Sequence, residues 1–183
     1  IFPNPNLSAD NQVVQLALDT LRLYTKDPLM IDVGHAGALK SVLVEQSAMF
    51  RAKALDALAR KDVDALATLE HTVPEIALFK GAYGELDTVM QRSESVELLK
   101  KACDDITEVK RGLNADQVSW YCDLGETHGL NYHTGLVFGI YSLQRDQLLV
   151  RGGRYDHVGE SFGRARAATG FSADLKTLVR LAN

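Results

Sequence analysis

Hydrophobic and polar positions in the first fifty residues follow a helical period, broken by one short apolar run. Ser8 is a suitable N-cap, and apolar residues recur after it at helical spacing, which predicts a helix over about 8–24. The segment "DPLMIDVGH" (27–35) predicts a short buried strand that ends at Gly34. The next segment, 36–50, returns to a helical pattern.

The middle of the chain predicts helix and almost no strand. Residues 51–72 are rich in Ala, Leu and charged side chains, and Pro74 and Gly81 or Gly84 interrupt the pattern. We therefore expect several short helices, and we predict that 49–92 forms a helical insertion. A further helix presents one apolar face made by Val96, Leu99, Cys103 and Ile106.

The pattern changes after Gly112. Four apolar and aromatic runs follow, separated by polar or glycine-containing turns: 117–125, 132–143, 147–153 and 168–175. This spacing is typical of an antiparallel sheet, and the short link in "SLQRDQLLV" indicates a hairpin. The chain is thus predicted to be α+β, an antiparallel sheet flanked by helices, within one compact unit at 183 residues.

Net charge, cysteine spacing and the motifs that are absent limit the kinds of function that the sequence predicts. The formal charge of -4 gives no overall basic field for nucleic acid. Cys103 and Cys122 form no CxxC and no zinc pattern, so we expect reduced core cysteines and no metal site. The sequence has no P-loop, GxGxxG, GxSxG, HExxH or EF-hand pattern, and we expect no cofactor. No long apolar run or leader occurs, so we expect a cytoplasmic protein without a membrane span.

The first candidate site is the polar segment that leads into the second of these runs. It comprises His128, Asn131, Tyr132, His133 and Thr134. Consecutive hydrogen-bonding side chains before a buried strand suit a pocket for a small polar ligand. The alternative is a bulge or turn bracketed by Gly129 and Gly135, with His133 exposed.

The second candidate is "RGGRYD", in which the glycines allow close backbone approach. Its candidate residues are Gly152, Gly153, Arg154, Tyr155 and Asp156. Arg154 could clamp a carboxylate or phosphate, with Asp156 orienting it. Alternatively, Arg154 and Asp156 form a structural ion pair. Arg164 and Arg166 lie in a predicted loop before the last run, where they could form an anion site or a partner surface, or be solvated side chains.

Together, these segments resemble the catalytic domain of class II histidyl-tRNA synthetases. "HGLNYHTGLVFG" (128–139) resembles the family's histidine-binding loop, R-G-L-D-Y-Y-T-G-x-V-F-E, and 152–156 matches its G-G-R-Y-D. "GFSADLKTL" (170–178) half matches the third class motif. The resemblance implies a class II synthetase-like fold. It also implies a histidine pocket that is lined by Tyr132, His133 and Thr134, with His128 and Asn131 at its edge and 152–156 as the neighbouring wall.

The departures from the synthetase pattern concern the groups that activate the amino acid. Two positions that hold arginine in the synthetases hold His128 and Thr177 here, and Gly139 replaces a glutamate. A guanidinium is a permanent planar cation that stabilises charge on a transferring phosphate; threonine cannot do so, and neutral imidazole does so poorly. The resemblance therefore implies loss of adenylation.

The chain is most similar in this respect to the regulatory subunits of ATP phosphoribosyltransferase, which are synthetase paralogues. Further matches are "IDVGHAG" (31–37) and 149–175. The resemblance implies a non-catalytic subunit that activates the short-form catalytic subunit and conveys inhibition by L-histidine, as a homodimer within a hetero-oligomer. The first two class II motifs do not occur, so we expect a partial domain over 1–183 that lacks its N-terminal part.

Two other interpretations remain open from the sequence. One is a divergent histidyl-tRNA synthetase fragment that still activates histidine. The other is a free-standing synthetase-like module that docks on another enzyme or on RNA, although the negative net charge weighs against RNA.

Overall fold

The computed structural model describes residues 6–93, 95–115, 117–128, 132–157, 160 and 163–182. Its centre is a six-stranded sheet in the order β2-β3-β1-β4-β5-β6. The strands are β1 Leu29–His35, β2 Tyr83–Glu85, β3 Val118–Asp123, β4 Leu136–Ser142, β5 Gln147–Arg154 and β6 Thr169–Ala173. The four runs predicted after Gly112 supply β3 to β6.

Helices precede, interrupt and follow the strands. They are α1 Leu7–Arg22, α2 Ala36–Leu43, α3 Ala48–Ala59, α4 Val63–Glu70, a 3-10 helix Pro74–Phe79, α5 Leu86–Ser93, α6 Glu97–Arg111 and α7 Leu175–Leu181. Side-chain caps fix several starts: Ser47 accepts from Phe50 N at α3, and Asp174 accepts from Thr177 N at α7. The proposed N-cap Ser8 instead lies inside α1, whose N-cap is Asn6.

The pairing makes the sheet mixed. β1 runs parallel to β3, with Ile31 opposite Trp120, and antiparallel to β4, with Ile31 opposite Ile140. The remaining pairs are antiparallel, and β4 and β5 form the predicted hairpin, with a register shift between Ile140 and Tyr141. A sheet flanked by helices was predicted; the parallel pair was not, and it makes the sheet mixed rather than antiparallel.

Strand alternation gives the sheet two different faces. On one face Ile31, Val33, Phe138, Ile140 and Val150 are buried, and α1 and α6 pack against strands of the sheet. α6 contributes its predicted apolar face, since Leu99, Cys103 and Ile106 are buried there. Positions on the opposite face are mostly half-buried or exposed, and we call this the open face.

The block 49–92 contains the expected short helices, and also strand β2, which the sequence did not predict. β2 pairs with β3 through only three residues, too few to show an alternating pattern. Buried side chains of the block, including Leu58, Ile76, Phe79 and Leu86, join the same core as the sheet. That the block is an insertion stays a prediction.

Both cysteines are core residues, as predicted. Cys103 and Cys122 are buried and not bridged to each other. No helix among the described residues is both long and apolar enough to cross a membrane. Across the same part of the chain, His, Cys, Asp and Glu side chains form no group of three that could hold a metal ion.

Candidate functional site

A row of small residues forms the floor of the open face. The register places Gly34, Val137, Gly153 and Gly170 side by side on four neighbouring strands. A Cβ on Gly153 would lie 2.8 Å from His133 Nδ1 and 2.6 Å from Leu136 O, and one on Gly170 would lie 2.8 Å from the Tyr155 hydroxyl. Glycine is therefore required at both positions for these rings to lie directly on the sheet.

Three rings pack together on this floor, and we call Tyr132, His133 and Tyr155 the aromatic cluster. Tyr132 stacks on Tyr155 with ring centroids 4.8 Å apart, and its edge meets His133 at 5.5 Å. Tyr132 is 57% exposed although it is a large ring. An exposed aromatic surface beside a glycine floor is suited to stack a flat ring of a ligand.

His133 is anchored through its backbone and its ring. Its carbonyl accepts a hydrogen bond from Lys40 Nζ at 2.5 Å, and its Nδ1 lies 3.3 Å from the Arg154 carbonyl. Burial, aided by the charge of Lys40, lowers the pKa of His133 below its ordinary value. The imidazole is thus held neutral near pH 7, able to donate one hydrogen bond and accept another.

The adjacent row of the open face carries charges. Tyr121, Asp32, Gly139, Arg151 and Ser172 lie opposite one another across five strands. A small cavity of about 20 Å³ lies in this row, lined by Asp32, Gly34, Glu126, His128, Val137, Phe138, Gly139, Tyr141 and Arg151. The row thus combines a carboxylate and a guanidinium on either side of a glycine.

Asp32 is the acidic residue of this row, and its pKa is shifted. Burial, together with the neighbouring charges of Asp123 and Glu126, raises the pKa of Asp32 to about 6. The charge of Lys61 lowers the pKa of Asp32 only in part, because the Lys61 ammonium is paired with Asp123. A carboxyl group in a cavity with a strongly shifted pKa is a common mark of a functional site.

His128 lies at the edge of the same cavity. It is 63% exposed, and its Nδ1 lies 2.8 Å from Glu126 Oε1, which also accepts from the His128 backbone N–H at 2.7 Å. Burial alone would raise the pKa of Glu126, but the hydrogen bonds from His128 lower it below its ordinary value. Glu126 is therefore a carboxylate near pH 7, already engaged by one histidine.

On the opposite face of the sheet, Arg154 lies in a buried polar network. Its Nε and Nη2 donate to Asp10 Oδ2 at 3.0 and 2.7 Å, its Nη2 donates to Asn6 O, and its Nη1 donates to Asp156 Oδ1 at 3.1 Å. Thr134 Oγ1 joins the network by donating to Asp156 Oδ2 at 3.0 Å. The structural ion pair considered for Arg154 and Asp156 is present, with Asp10 as a second partner.

The structure thus divides the predicted residues between the two faces. Tyr132, His133, Gly153 and Tyr155 lie together on the open face, with His128 in the next row. Thr134, Arg154 and Asp156 line a different cleft of about 630 Å³ beside His35 and the start of α1. Gly152 faces the core, where a Cβ would lie 2.7 Å from the Phe138 ring. Asn131 lies outside the described residues, and Arg164 and Arg166 are exposed.

Sequence reasoning missed Asp32, Tyr141 and Arg151. The signal was present for Asp32, because an acid between Ile31 and Val33 in a buried strand must point to the opposite face. Arg151 occupies the corresponding position relative to Val150 and Gly152. Neither could be placed beside the aromatic cluster without the strand register.

Comparison with known proteins identifies the fold family. The family profile described as Histidyl-tRNA synthetase matches residues 1–178. The chain belongs to this family. Curated relatives named ATP phosphoribosyltransferase regulatory subunit are 35% identical in Burkholderia lata, over 99% of this chain and 50% of the relative, and 36% identical in Stutzerimonas stutzeri, over 99% and 49%. The chain spans about half the length of these relatives.

Solved structures of this synthetase-like family share the fold. The ATP phosphoribosyltransferase regulatory subunit/histidyl-tRNA synthetase from Bacillus halodurans aligns with a TM-score of 0.78 at 22% identity, over 100% of this chain and 51% of that one. The ATP phosphoribosyl transferase (HisG:HisZ) complex from Thermotoga maritima aligns with a TM-score of 0.76 at 18% identity, over 94% and 63%.

Proposed function

We propose that the chain is part of a non-catalytic regulatory subunit that assembles with the short-form catalytic subunit of ATP phosphoribosyltransferase. In this role it activates the first step of histidine synthesis and takes part in its inhibition by L-histidine. The support is the shared name of curated relatives about 35% identical over 99% of the chain.

The proposal that the subunit is non-catalytic rests on the side chains found at two positions. His128 and Thr177 stand where the resemblance expects arginines. His128 is hydrogen-bonded to Glu126, and the backbone N–H of Thr177 caps on Asp174 at the start of α7. Neither side chain supplies a permanent cation to a phosphoryl group, so the adenylation step lacks its electrostatic stabilisation.

We propose that L-histidine binds on the open face. Tyr132, His133 and Tyr155 stack or hydrogen-bond its ring, while Gly153 provides close approach to the sheet and His128 borders the site. In this proposal Gly152, Thr134, Arg154 and Asp156 support the wall, because the Arg154 donors are directed to Asp10, Asn6 and Asp156. Asn131 belongs to the same proposed loop.

Inhibition by histidine requires that the effector bind two assembly states with different affinity. A coupling of about 1–3 kcal/mol, or roughly 5- to 150-fold in affinity, would suffice for control. We propose a homodimer of the subunit within a hetero-oligomer as the unit that carries this coupling.

The test is a reconstituted assay of phosphoribosyl transfer to ATP by the short catalytic subunit, with and without this chain. We expect the chain to co-elute with the catalytic subunit and to raise its rate, and we expect L-histidine to lower the rate of the complex. Absence of both co-elution and activation would reject the proposal. Histidine-dependent ATP–pyrophosphate exchange by the chain alone would also reject it, in favour of a divergent synthetase.

A further inference from the structure

We propose that the groove between α2 and α3 is the docking face of this chain for the short-form catalytic subunit, and that it takes an acidic amphipathic helix of that partner. The proposed function requires an assembly but leaves its contact surface open. Naming this face deepens the proposed function, on which it rests.

The end of α2 and one side of α3 form the groove. Its volume is about 430 Å³. The α3 residues that line it recur at spacings of three and four, so they lie on one side of that helix. A space of this size accepts the anchoring side chains of a partner. Its apolar lining residues are Leu43, Val44, Ala48, Ala52 and Leu55.

Apolar surface at this groove is left uncovered. Val44 lines the groove and is 62% exposed, and Met49, at the start of α3, is 70% exposed. The helix packs against α4, and its buried residues are Ala54, Ala57 and Leu58. Exposed apolar side chains that gather at one groove mark an interaction surface, whereas single scattered ones do not.

Ala48 and Ala52 favour a helix as the occupant. They are four residues apart, both are exposed, and both line the groove. With only a methyl group at each position, a second helix can approach α3 closely, because the distance between packed helices depends on the side chains at the contact. A helix that lies in a groove buries apolar side chains at spacings of three and four, which the lining of α3 matches.

Two cations, Lys40 and Arg51, lie at the groove, and among the residues that the structure describes no acidic side chain lines it. Arg51 is exposed and forms no ion pair within the described ranges. Asp56, the next acid along α3, is paired with Arg60. The whole chain carries a formal charge of -4, so this groove is a local positive region that attracts an acidic segment and orients it.

Lys40 connects the groove to the aromatic cluster. Its side chain lines the groove, and its ammonium donates to the His133 carbonyl. A carboxylate that docks beside Lys40 would draw the ammonium away from this carbonyl, since a charged acceptor forms the stronger hydrogen bond. Docking would thereby act on the residue that carries the His133 ring. Regulation requires such a physical link between partner and effector sites, which favours the catalytic subunit over an unrelated protein.

The test is biolayer interferometry with the full chain immobilised and the short-form catalytic subunit in solution. Arg51→Glu reverses a charge at the groove, and Ala52→Trp fills the groove. Both positions are exposed, and circular dichroism establishes that each variant is folded. Lys53→Glu and Lys53→Trp are the matched controls, because Lys53 is an exposed residue of the same helix that lies about 160° around its axis from Arg51.

We expect each groove variant to raise the Kd for the catalytic subunit by about tenfold or more, since like charges repel at a contact and a filled groove excludes the anchoring side chains. The Lys53 variants should bind as the parent does. Association of the parent should slow as salt is added, and Arg51→Glu should show a weaker dependence because it has lost a steering cation. Groove variants that bind as the parent does overturn the inference, as do Lys53 variants that bind as weakly as the groove variants.

A second copy of this chain is the other occupant to consider, and sedimentation of the chain alone distinguishes it. We expect Arg51→Glu and Ala52→Trp to leave the sedimentation of the chain unchanged. If they instead abolish a self-association of the parent and leave binding of the catalytic subunit unchanged, the groove is an interface between copies and the docking face is rejected.

The docking face and the proposed function fail in different ways. If the parent binds and activates the catalytic subunit and the groove variants do so equally well, the regulatory role stands and the docking face is rejected. If the parent neither binds nor activates the catalytic subunit, both are rejected.

Discussion

Asp10 and Arg154 are 144 residues apart in sequence and form a buried ion pair in which Asp10 Oδ2 accepts from both Nε and Nη2. The side chains are 0% and 7% exposed, respectively. The pair joins α1 to the end of β5, next to the backbone that carries His133. It therefore fixes the strand end on which the aromatic cluster lies.

Removal of Asp10 should be strongly destabilising, because the buried Arg154 guanidinium loses the carboxylate that accepts from its Nε and Nη2 and keeps only Asp156, which is 37% exposed, and the Asn6 carbonyl. We expect Asp10→Ala to lower the free energy of unfolding by about 3–5 kcal/mol. Denaturant titration gives this value. Asp56→Ala is the control, since Asp56 also lies in a helix and pairs with an arginine, but both side chains of that pair are 62% exposed. It should cost less than about 1 kcal/mol. Equal effects of the two substitutions would contradict a structural role for the buried pair.

Gly153 should not tolerate even a methyl group. A Cβ there would overlap with Leu136 O and His133 Nδ1, so Gly153→Ala must displace either the strand or the imidazole. We expect a loss of about 1–3 kcal/mol, typical of overpacking. Gly125→Ala is a suitable control, because its Cβ would meet ordinary contacts of 3.4 Å or more and is expected to cost less. An unchanged His133 resonance and unchanged stability in Gly153→Ala would refute the close approach.

Several features of the fold could be predicted from sequence because they depend on local periodicity. The four runs after Gly112 are short apolar and aromatic stretches separated by turn residues, and α6 repeats its apolar residues at three and four positions, so both were placed correctly. The parallel pairing of β1 with β3 could not be predicted this way. It joins segments almost ninety positions apart in the chain, and no local pattern carries the relative direction of two such segments.

Only some of the residues of the candidate site could be predicted from the sequence in the same way. Residues 152–156 were treated as one wall, yet strand alternation directs Gly153 to the open face and Arg154 to the core face. The contiguous motif therefore contributes to two different environments. Asp32 and Arg151 were missed because neither belongs to a recognisable motif, and they become neighbours only through the register of β1, β4 and β5.

Both cysteines should be inert while the chain is folded. Cys103 and Cys122 are buried, and burial raises the pKa of the Cys122 thiol well above its ordinary value, so the reactive thiolate is scarce. We expect a thiol-specific disulfide reagent to label neither cysteine in the native protein and both in denaturant. Thr72→Cys, at an exposed turn, provides a positive control that should react at once. Rapid labelling of Cys122 in the native chain would show that the strand opens readily.

The raised pKa of Asp32 has a measurable effect on stability. Its folded-state pKa of about 6 exceeds the ordinary value of 3.8, so between these two values the folded state binds more protons than the unfolded state. The free energy of unfolding contributed by this group therefore falls as pH rises from about 4 to 6, and the full cost of holding a carboxylate there is present above pH 6. A shift of this size corresponds to about 2–3 kcal/mol at most.

Asp32→Asn removes that cost, since the amide stays neutral at every pH. We expect the variant to be more stable than the parent at pH 7 by about 1–3 kcal/mol, and to show a smaller fall in stability between pH 4 and pH 6. Denaturant titrations at pH 4, 5, 6 and 7 provide the comparison, with Asp146→Asn as the exposed control whose difference from the parent should not vary with pH. A parent and Asp32→Asn difference that is constant from pH 4 to pH 7 would mean that Asp32 ionises normally and that its partial burial on the open face does not raise its pKa.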